Sequence, residues 1–305
     1  MANTLTGLIP SMYNALDVVS RELTGFIPAV TMDATFERAA VGQTVSSPVA
    51  PAASATNINP AVTAPNDGDQ TIGSTSMTIT KARRVPIRWN GEERLGVDNN
   101  GAQFNIIFRD QMAQAMRTLA NEVEADVAAL YANASRAYGT AGTTPFATNT
   151  AELMQARKIL IDNGAANGEL QAVLDTGAGA NIRTLYGINT SRDWSQVPVD
   201  QRGVLVTPHG ISIRESGQVR TPSVGTGASA TTNATGYAVG ATVITLASAG
   251  TGTVLAGDVI TFAGDTNKYV VASGDTDVSN GGTIALAAPG LKKAINAGAT
   301  AITVI

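Results

Sequence analysis

The chain has 305 residues, 44% of them hydrophobic and only 14% charged, with a formal net charge of −4 and no cysteine. That length predicts about two domains with enough apolar residues to bury a core. The charge-poor, slightly acidic balance excludes nucleic-acid binding driven by the field of the whole chain, and the missing cysteines exclude disulfide staples and thiolate metal sites. No run approaches the ~18 apolar residues of a membrane-spanning helix, and the opening residues lack a basic stretch followed by an apolar one. A soluble, unexported chain is expected.

One phrase occurs twice near the start, as LTGLIP at 5–10 and LTGFIP at 23–28. Pro10 suits the first turn of a helix and Gly25 the position just past a helix end. Between them Met12, Leu16, Val19 and Leu23 recur at three- and four-residue steps, with Ser11, Asn14, Arg21 and Glu22 off the stripe. This predicts one amphipathic helix of roughly 20 Å. It has too little apolar sequence around it to form a core, so its stripe needs a surface elsewhere.

From 39 to 74 the text carries Pro48, Pro51, Pro60 and Pro65 and no aromatic residue, and alone it would not offset its own ordering entropy. Met77, Ile79, Val85, Ile87 and Trp89 then share the odd positions of a period-two segment that also holds Lys81, Arg83, Arg84 and Arg88. This predicts one leg of a long hairpin whose basic groups pair between subunits, with weak contact to nucleic acid as the competing use.

A helical stripe of Phe104, Phe108, Met112, Ala115, Leu119, Val123, Val127 and Leu130 predicts a single helix over 103–136, about 50 Å long. Glu122, Glu124 and Asp126 crowd its middle and are the expected acidic partners of the basic leg.

After a Gly/Thr-rich break at 139–148, Asn149 and Glu152 read as a capping box opening a helix to about Asp162, which Asn163-Gly164 stops. LQAVLD at 170–175 reads as a strand and ANIRTLYG at 180–187 as a helix. GVLVTP and GISIRES read as a hairpin around Pro208-His209-Gly210, making 139–220 one α/β domain. Beyond Thr221, strands near 241–247, 258–263, 268–273 and 283–288 alternate with Gly, Asp and Asn turns, which predicts a small barrel or sandwich. Residues 222–290 are expected to fold alone.

Candidate chemistry is sparse. Gly177-Ala178-Gly179 lies where a phosphate loop would sit, but the third glycine and a Lys-Ser/Thr pair are missing, so a close-packed turn is expected. His209 is the lone histidine and no serine has a nucleophile-elbow context, which leaves a hydrolase reading with little behind it. Asp275, Asp277 and Asn280 space like part of a calcium loop, but Asn280 stands at the glycine position and Leu286 at that of the bidentate glutamate. No catalytic residue, cofactor or metal is expected.

The N-terminal phrase ALDVVSREL followed by GFIPAV, then GISIRES and AGDVITFAGDTNKYVV, resemble tailed-bacteriophage major capsid proteins of the Hong Kong 97-type fold. They come nearest to the phage P-twenty-two coat protein family. In gross order the likeness covers most of the chain. It implies an α+β fold with an N-arm at 1–38, an extended E-loop at 39–100, a peripheral-domain spine helix at 101–138, an axial domain at 139–220 and a β-rich inserted domain at 221–305. It also implies a structural virion protein, not an enzyme. Such a protein assembles as hexamers and pentamers in the host cytoplasm into an icosahedral head around double-stranded DNA, with scaffolding, portal and decoration proteins as partners and no membrane. Family members return from the inserted module to complete the other sheets, whereas this text ends at ATAITVI. An apolar terminal strand is expected to pair at a sheet edge. The alternative reading is a secreted or surface β-rich carbohydrate-binding or adhesin module, favoured by the Gly/Thr strands and opposed by the spine helix.

Overall fold

A computed structural model describes residues 24–31, 40–51, 53, 55, 57, 68–99, 104–166, 168, 170–189, 204–206 and 210–305. The chain divides into two compact units, 31–88 on the one hand and 1–30 with 89–305 on the other.

The 31–88 unit is built on one antiparallel ribbon, β1 (Thr44–Val49) with β2 (Gly73–Thr78), in register from Thr44↔Thr78 to Val49↔Gly73. Val45 is half-buried and the other residues of both strands are exposed. The expected strand over 77–89 ends at Thr78: the ribbon closes one residue further on, where Ile79 N donates to Gln43 O at 3.0 Å and Gly42 N to Ile79 O at 2.8 Å, and Pro86 has no N–H to give a ladder. Met77 is 63% exposed.

In the other unit a short helix lies within the span expected to be extended loop. This is α1 (Gly91–Asn99), opened by a reciprocal box in which Asn90 Oδ1 accepts from Glu93 N at 2.7 Å and Glu93 Oε2 from Asn90 N at 3.0 Å. Trp89 Nε1 donates to Gln111 Oε1 at 2.7 Å and ties this entry to the long helix. That helix, α2 (Phe104–Ala128), ends earlier than the expected 136 and tightens into a 3₁₀ turn at Ala129–Asn133. The cause is tertiary. The Tyr131 ring lies against the backbone at Gly257, and Arg136–Ala137 form a short strand, β3.

The next layer follows the sequence pattern closely. In α3 (Ala151–Asp162) Asn149 Oδ1 accepts from Ala151 N at 2.9 Å, and Gly164 at φ +82 follows its C-terminal end. The expected capping box is only half made. Thr150 is the cap residue, so Glu152 stands one position too early to reach back. A three-stranded sheet pairs β4 (Leu170–Leu174) parallel to β6 (Ile211–Glu215), and β5 (Val204–Val206) antiparallel to β6. The crossover helix α4 (Thr176–Asn189) begins four residues before the expected 180, because Asp175 caps it by accepting from Gly177 N at 3.3 Å and Ala178 N at 3.0 Å. Phe146, Leu153, Ala178, Ile182, Ile211 and Ile213 form the core.

The C-terminal strands β7 (Val243–Thr245), β8 (Val259–Phe262), β9 (Lys268–Ser273), β10 (Thr283–Leu286) and β11 (Ile302–Val304) run in the order β11-β8-β9-β10-β7. Residues 230–233 close the two edges of that sheet. Ile302 N donates to Ala230 O at 2.8 Å on one side, and Ala247 N donates to Thr231 O and Asn233 N to Thr245 O, both at 2.9 Å, on the other. The result is a small barrel. β11 therefore has β8 on one side and 230–232 on the other, rather than standing at an open edge. Ile244, Ile260, Phe262, Tyr269, Val271, Ile284, Leu291 and Ile302 fill its interior, and β3 pairs with the first residues of β9.

Two expected outcomes arise here. A fragment ending at 290 lacks Leu291, Ile295 and Ile302, all core residues, so the expectation that 222–290 folds alone is revised. Residues 222–305 should give a dispersed amide spectrum and 222–290 a collapsed one; equal dispersion would refute the barrel closure. Second, the Tyr269 hydroxyl donates to Asp265 Oδ2 at 2.7 Å and accepts from Lys292 N at 3.0 Å. Burial, and then the Asp265 carboxylate, raise its pKa above the ordinary tyrosine value. A raised value in the folded state gives stability that is intact below the unfolded pKa of about 10 and is lost as pH climbs through the folded value. Thermal melts from pH 8 to 11.5 should show wild type losing stability in the upper part of that window more steeply than Tyr269→Phe, and parallel curves would count against it.

Candidate functional site: the carboxylate that holds the arm

The second copy of the repeated phrase ends in a 3₁₀ turn, Ile27–Ala29, with Pro28 near its start. A proline there leaves the preceding backbone N–H groups pointing outward with no partner in the turn itself. Glu124 on α2 supplies their acceptor. Its Oε2 accepts from Gly25 N at 3.2 Å and Phe26 N at 3.0 Å, and its Oε1 from Ile27 N at 2.7 Å. The Ser216 hydroxyl just after β6 donates to Oε2 at 2.8 Å and itself accepts from Gln218 N at 3.2 Å. Ser216 N donates to Leu174 O at 2.9 Å, which fixes the end of β6 to β4.

One side chain thus joins the N-terminal segment at 25–27, the long helix and the sheet. Glu124 is 0% exposed. Burying a carboxylate is expensive unless its lone pairs are satisfied, and here four donors satisfy them. Gly25 is required by the closeness of the seat, since a Cβ there would lie 2.7 Å from Val173 Cγ1 and 2.8 Å from Glu215 O. The Glu215 carboxylate is turned away to Arg183, so it does not compete for the arm's donors. A groove of about 520 Å³ opens beside the anchor, lined by Phe26, Val127, Tyr131, Val173, Val219 and Pro222 among others.

The expected assembly residues fare differently. Met12, Leu16, Val19 and Leu23 lie outside the described residues, as does His209. Lys81, Arg83, Arg84 and Arg88 are exposed on the irregular segment after β2. Of the acidic trio, Glu122 is half-buried and Asp126 exposed, but Glu124 is not available to another subunit. Its assignment as an intersubunit partner is corrected, because its carboxylate is already spent inside the protomer. The stripe expected on α2 also departs from a simple core face, with Val123 49% and Leu130 59% exposed.

Sequence reading missed Gly25, Ser216 and Val173 as parts of this seat. The readable signal was Ala120 and Ala128 one turn on either side of Glu124, small residues that leave room for a backbone to approach the carboxylate. Of the other candidates, Gly177-Ala178-Gly179 forms the first turn of α4, where Gly179 lets the helix close on the Glu215 side chain. Asp275 Oδ1 accepts from Asp277 N at 2.9 Å, Asp277 Oδ1 from Ser279 N at 3.1 Å and Asn280 Oδ1 from Gly282 N at 3.0 Å, so these groups brace their own turn. The Ser279 contacts hold the Asp277 carboxyl below the usual carboxylate value.

The chain matches no protein-family model and no curated protein sequence. The described residues define a mixed α+β protein in which a long helix anchors an N-terminal segment through a buried carboxylate.

Proposed function

We propose that this chain is a structural capsid subunit of the Hong Kong 97 type, assembling through hexamers and pentamers into an icosahedral shell around double-stranded DNA. The observation that carries the reading is the 31–88 unit, whose named strands form a single ribbon exposed on both faces. A lone two-stranded ribbon is at best marginally stable in water, and this one acquires its missing contacts when it lies across a neighbour. The anchor agrees with this: Glu124 pins the chain at Gly25–Ile27, directly after the apolar stripe in the sequence.

In this reading the barrel is the inserted domain, and the sheet of β4, β5 and β6 with α3 and α4 is the axial domain. Lys81, Arg83, Arg84 and Arg88 meet Glu122 and Asp126 of a neighbouring subunit, and DNA is touched weakly and without sequence preference. Scaffolding, portal and decoration proteins are the further partners, and the site of action is the virion after assembly in the host cytoplasm.

Electron microscopy of the purified full chain tests the proposal. Closed shells or capsomers are the expected images; monodisperse monomers at high concentration, with and without a co-expressed scaffold, would overturn it. A sharper form uses Leu16→Asp, which sets a charge in the middle of the arm's apolar stripe. It should leave a soluble, folded subunit that no longer sediments as particles, and normal particles in a sucrose gradient would sink the arm's proposed role.

A further inference from the structure

The ribbon of β1 and β2 has two outer edges, and they are not alike. Ile79 N donates to Gln43 O at 3.0 Å, so the main-chain groups at these two positions face inward, each toward the other strand. Backbone groups alternate sides along an antiparallel pair. With the observed register, odd-numbered residues of both strands bond across the ribbon, while even-numbered ones send their N–H and C=O groups outward. The Thr44 and Thr78 hydroxyls, 3.2 Å apart, show the closer approach of a pair of the second kind.

On β1 the outward groups belong to Thr44, Ser46 and Pro48. Pro48 has no N–H, which spoils that edge as a template for a further strand. On β2 they belong to Ser74, Ser76 and Thr78, each with both its N–H and its C=O. All three are exposed, and among the described residues no strand pairs with that edge. One edge is closed and the other is open.

The sequence around the open edge says what it can take. Gly73–Thr78 carries no charge, but the text before it is acidic at Asp67 and Asp69 and the text after it basic at Lys81, Arg83 and Arg84. A second copy of β2 lying antiparallel brings the acidic side of each strand to the basic side of the other, whereas a parallel copy sets like against like. With Ser76 opposite its own copy, Ser74 falls opposite Thr78, so every outward N–H and C=O finds a partner and the facing side chains are all hydroxyls. The two-fold also keeps matching faces together. Val45, Val49 and Met77 of both copies then form one apolar face, where the single ribbon leaves Val49 49% and Met77 63% exposed. Four strands with such a face meet the condition for independent stability that a lone ribbon does not. Because the β1 edge is closed, pairing stops at two copies instead of running on into a fibre.

We propose that β2 is a self-pairing edge: two copies of this chain join β2 to β2 about a two-fold at Ser76, in a four-stranded sheet ordered β1-β2-β2-β1. The inference concerns the ribbon alone and holds whether the pair stands by itself or is built into a shell. Within a shell it adds Asp69 to the acidic groups proposed above for the basic segment.

The chain has no cysteine, so one introduced thiol reports one contact. Ser76→Cys and Ser46→Cys, made separately in the full chain, place it on the open and the closed edge at two exposed positions that face each other across the ribbon. A hydrogen-bonded antiparallel pair holds its Cα atoms about 5.5 Å apart, within disulfide reach. Under mild oxidation Ser76→Cys should form a disulfide dimer at least about tenfold faster than Ser46→Cys, since paired thiols react as neighbours and unpaired ones only on collision. Adding Ser74→Pro to Ser76→Cys copies the Pro48 device onto the open edge without removing a hydrogen bond inside the ribbon, and should bring the rate down to that of Ser46→Cys. Equal rates for the two single variants, no dimer from Ser76→Cys, or a rate that survives Ser74→Pro would each overturn the proposal. Electron microscopy of the same samples reads shell formation separately, so failure of the edge pairing and failure of the shell-forming role are told apart.

Discussion

Glu124→Ala is expected to release the end of the arm from the long helix. The substitution leaves the N–H groups of Gly25, Phe26 and Ile27 and the Ser216 hydroxyl without their acceptor in a closed seat. Each buried donor left unsatisfied costs about 1 to 3 kcal/mol, and removing one partner of a buried charged network typically costs about 3 to 5 kcal/mol in total once the seat relaxes and water enters. Hydrogen exchange reads the result directly: the Gly25–Ile27 amides should lose their protection, while those of the barrel core, such as Ile260 and Val271, keep theirs. Glu124→Gln keeps the size and one acceptor oxygen but turns an NH₂ toward some of the same donors, so a smaller loss of about 1 to 2 kcal/mol is expected. Protected arm amides in Glu124→Ala would mean that the apolar contacts of Phe26 hold the turn unaided. Under the proposed shell-forming role, Glu124→Ala should also lower particle yield.

Gly274→Ala should be among the most damaging single-methyl changes in the barrel. A Cβ at this position would lie 1.9 Å from Val254 O and 2.6 Å from Val254 C, and both obstacles are backbone. A flexible side chain could swing aside, but here the strand itself must move. What moves with it is the bridge between Val254 and Asp275, whose two hydrogen bonds are both 2.8 Å. Val254 is fully buried, so shifting its backbone also disturbs the core around Val278 and Leu246. Overpacking costs about 1 to 3 kcal/mol and backbone obstruction belongs at the upper end, so a loss of about 3 kcal/mol is expected by urea denaturation followed through the barrel's amide signals. A change under about 0.5 kcal/mol, the scale of an ordinary surface substitution, would show that the two segments part without harm.

Both sites separate what local pattern specifies from what it does not. The helix at 151–162 with Gly164 past its end, the strand at 170–174, the hairpin of β5 and β6 and four of the barrel strands all stood in the sequence within a few residues of where they are found. Each rests on spacing that the chain carries with it: three- and four-residue steps for helices, alternation for strands, and Gly or Asn where the backbone must reverse. Even the missed helix at 91–99 had a readable signal in its Asn90–Glu93 box.

Other features depend on where distant segments meet. The stripe on α2 continues past residue 128, yet the helix stops because Tyr131 and β3 are recruited by the barrel, and no residue before 137 announces this. The acidic trio at 122, 124 and 126 looks uniform in sequence, and its members part company only because the arm's turn arrives over one of them. Gly25 and Glu124 are 99 positions apart, and their hydrogen bond exists only when the end of β6 supplies Ser216 and Val173 closes against Gly25. Likewise the barrel strands were visible, but the 230–233 segment that closes them contributes single bridges with no periodicity to detect. Periodicity is a property of a short stretch of chain and survives in the text. Which carboxylate is buried and which strand edge is covered are settled by desolvation and donor satisfaction between segments far apart in sequence, and those terms take their values only in the folded arrangement.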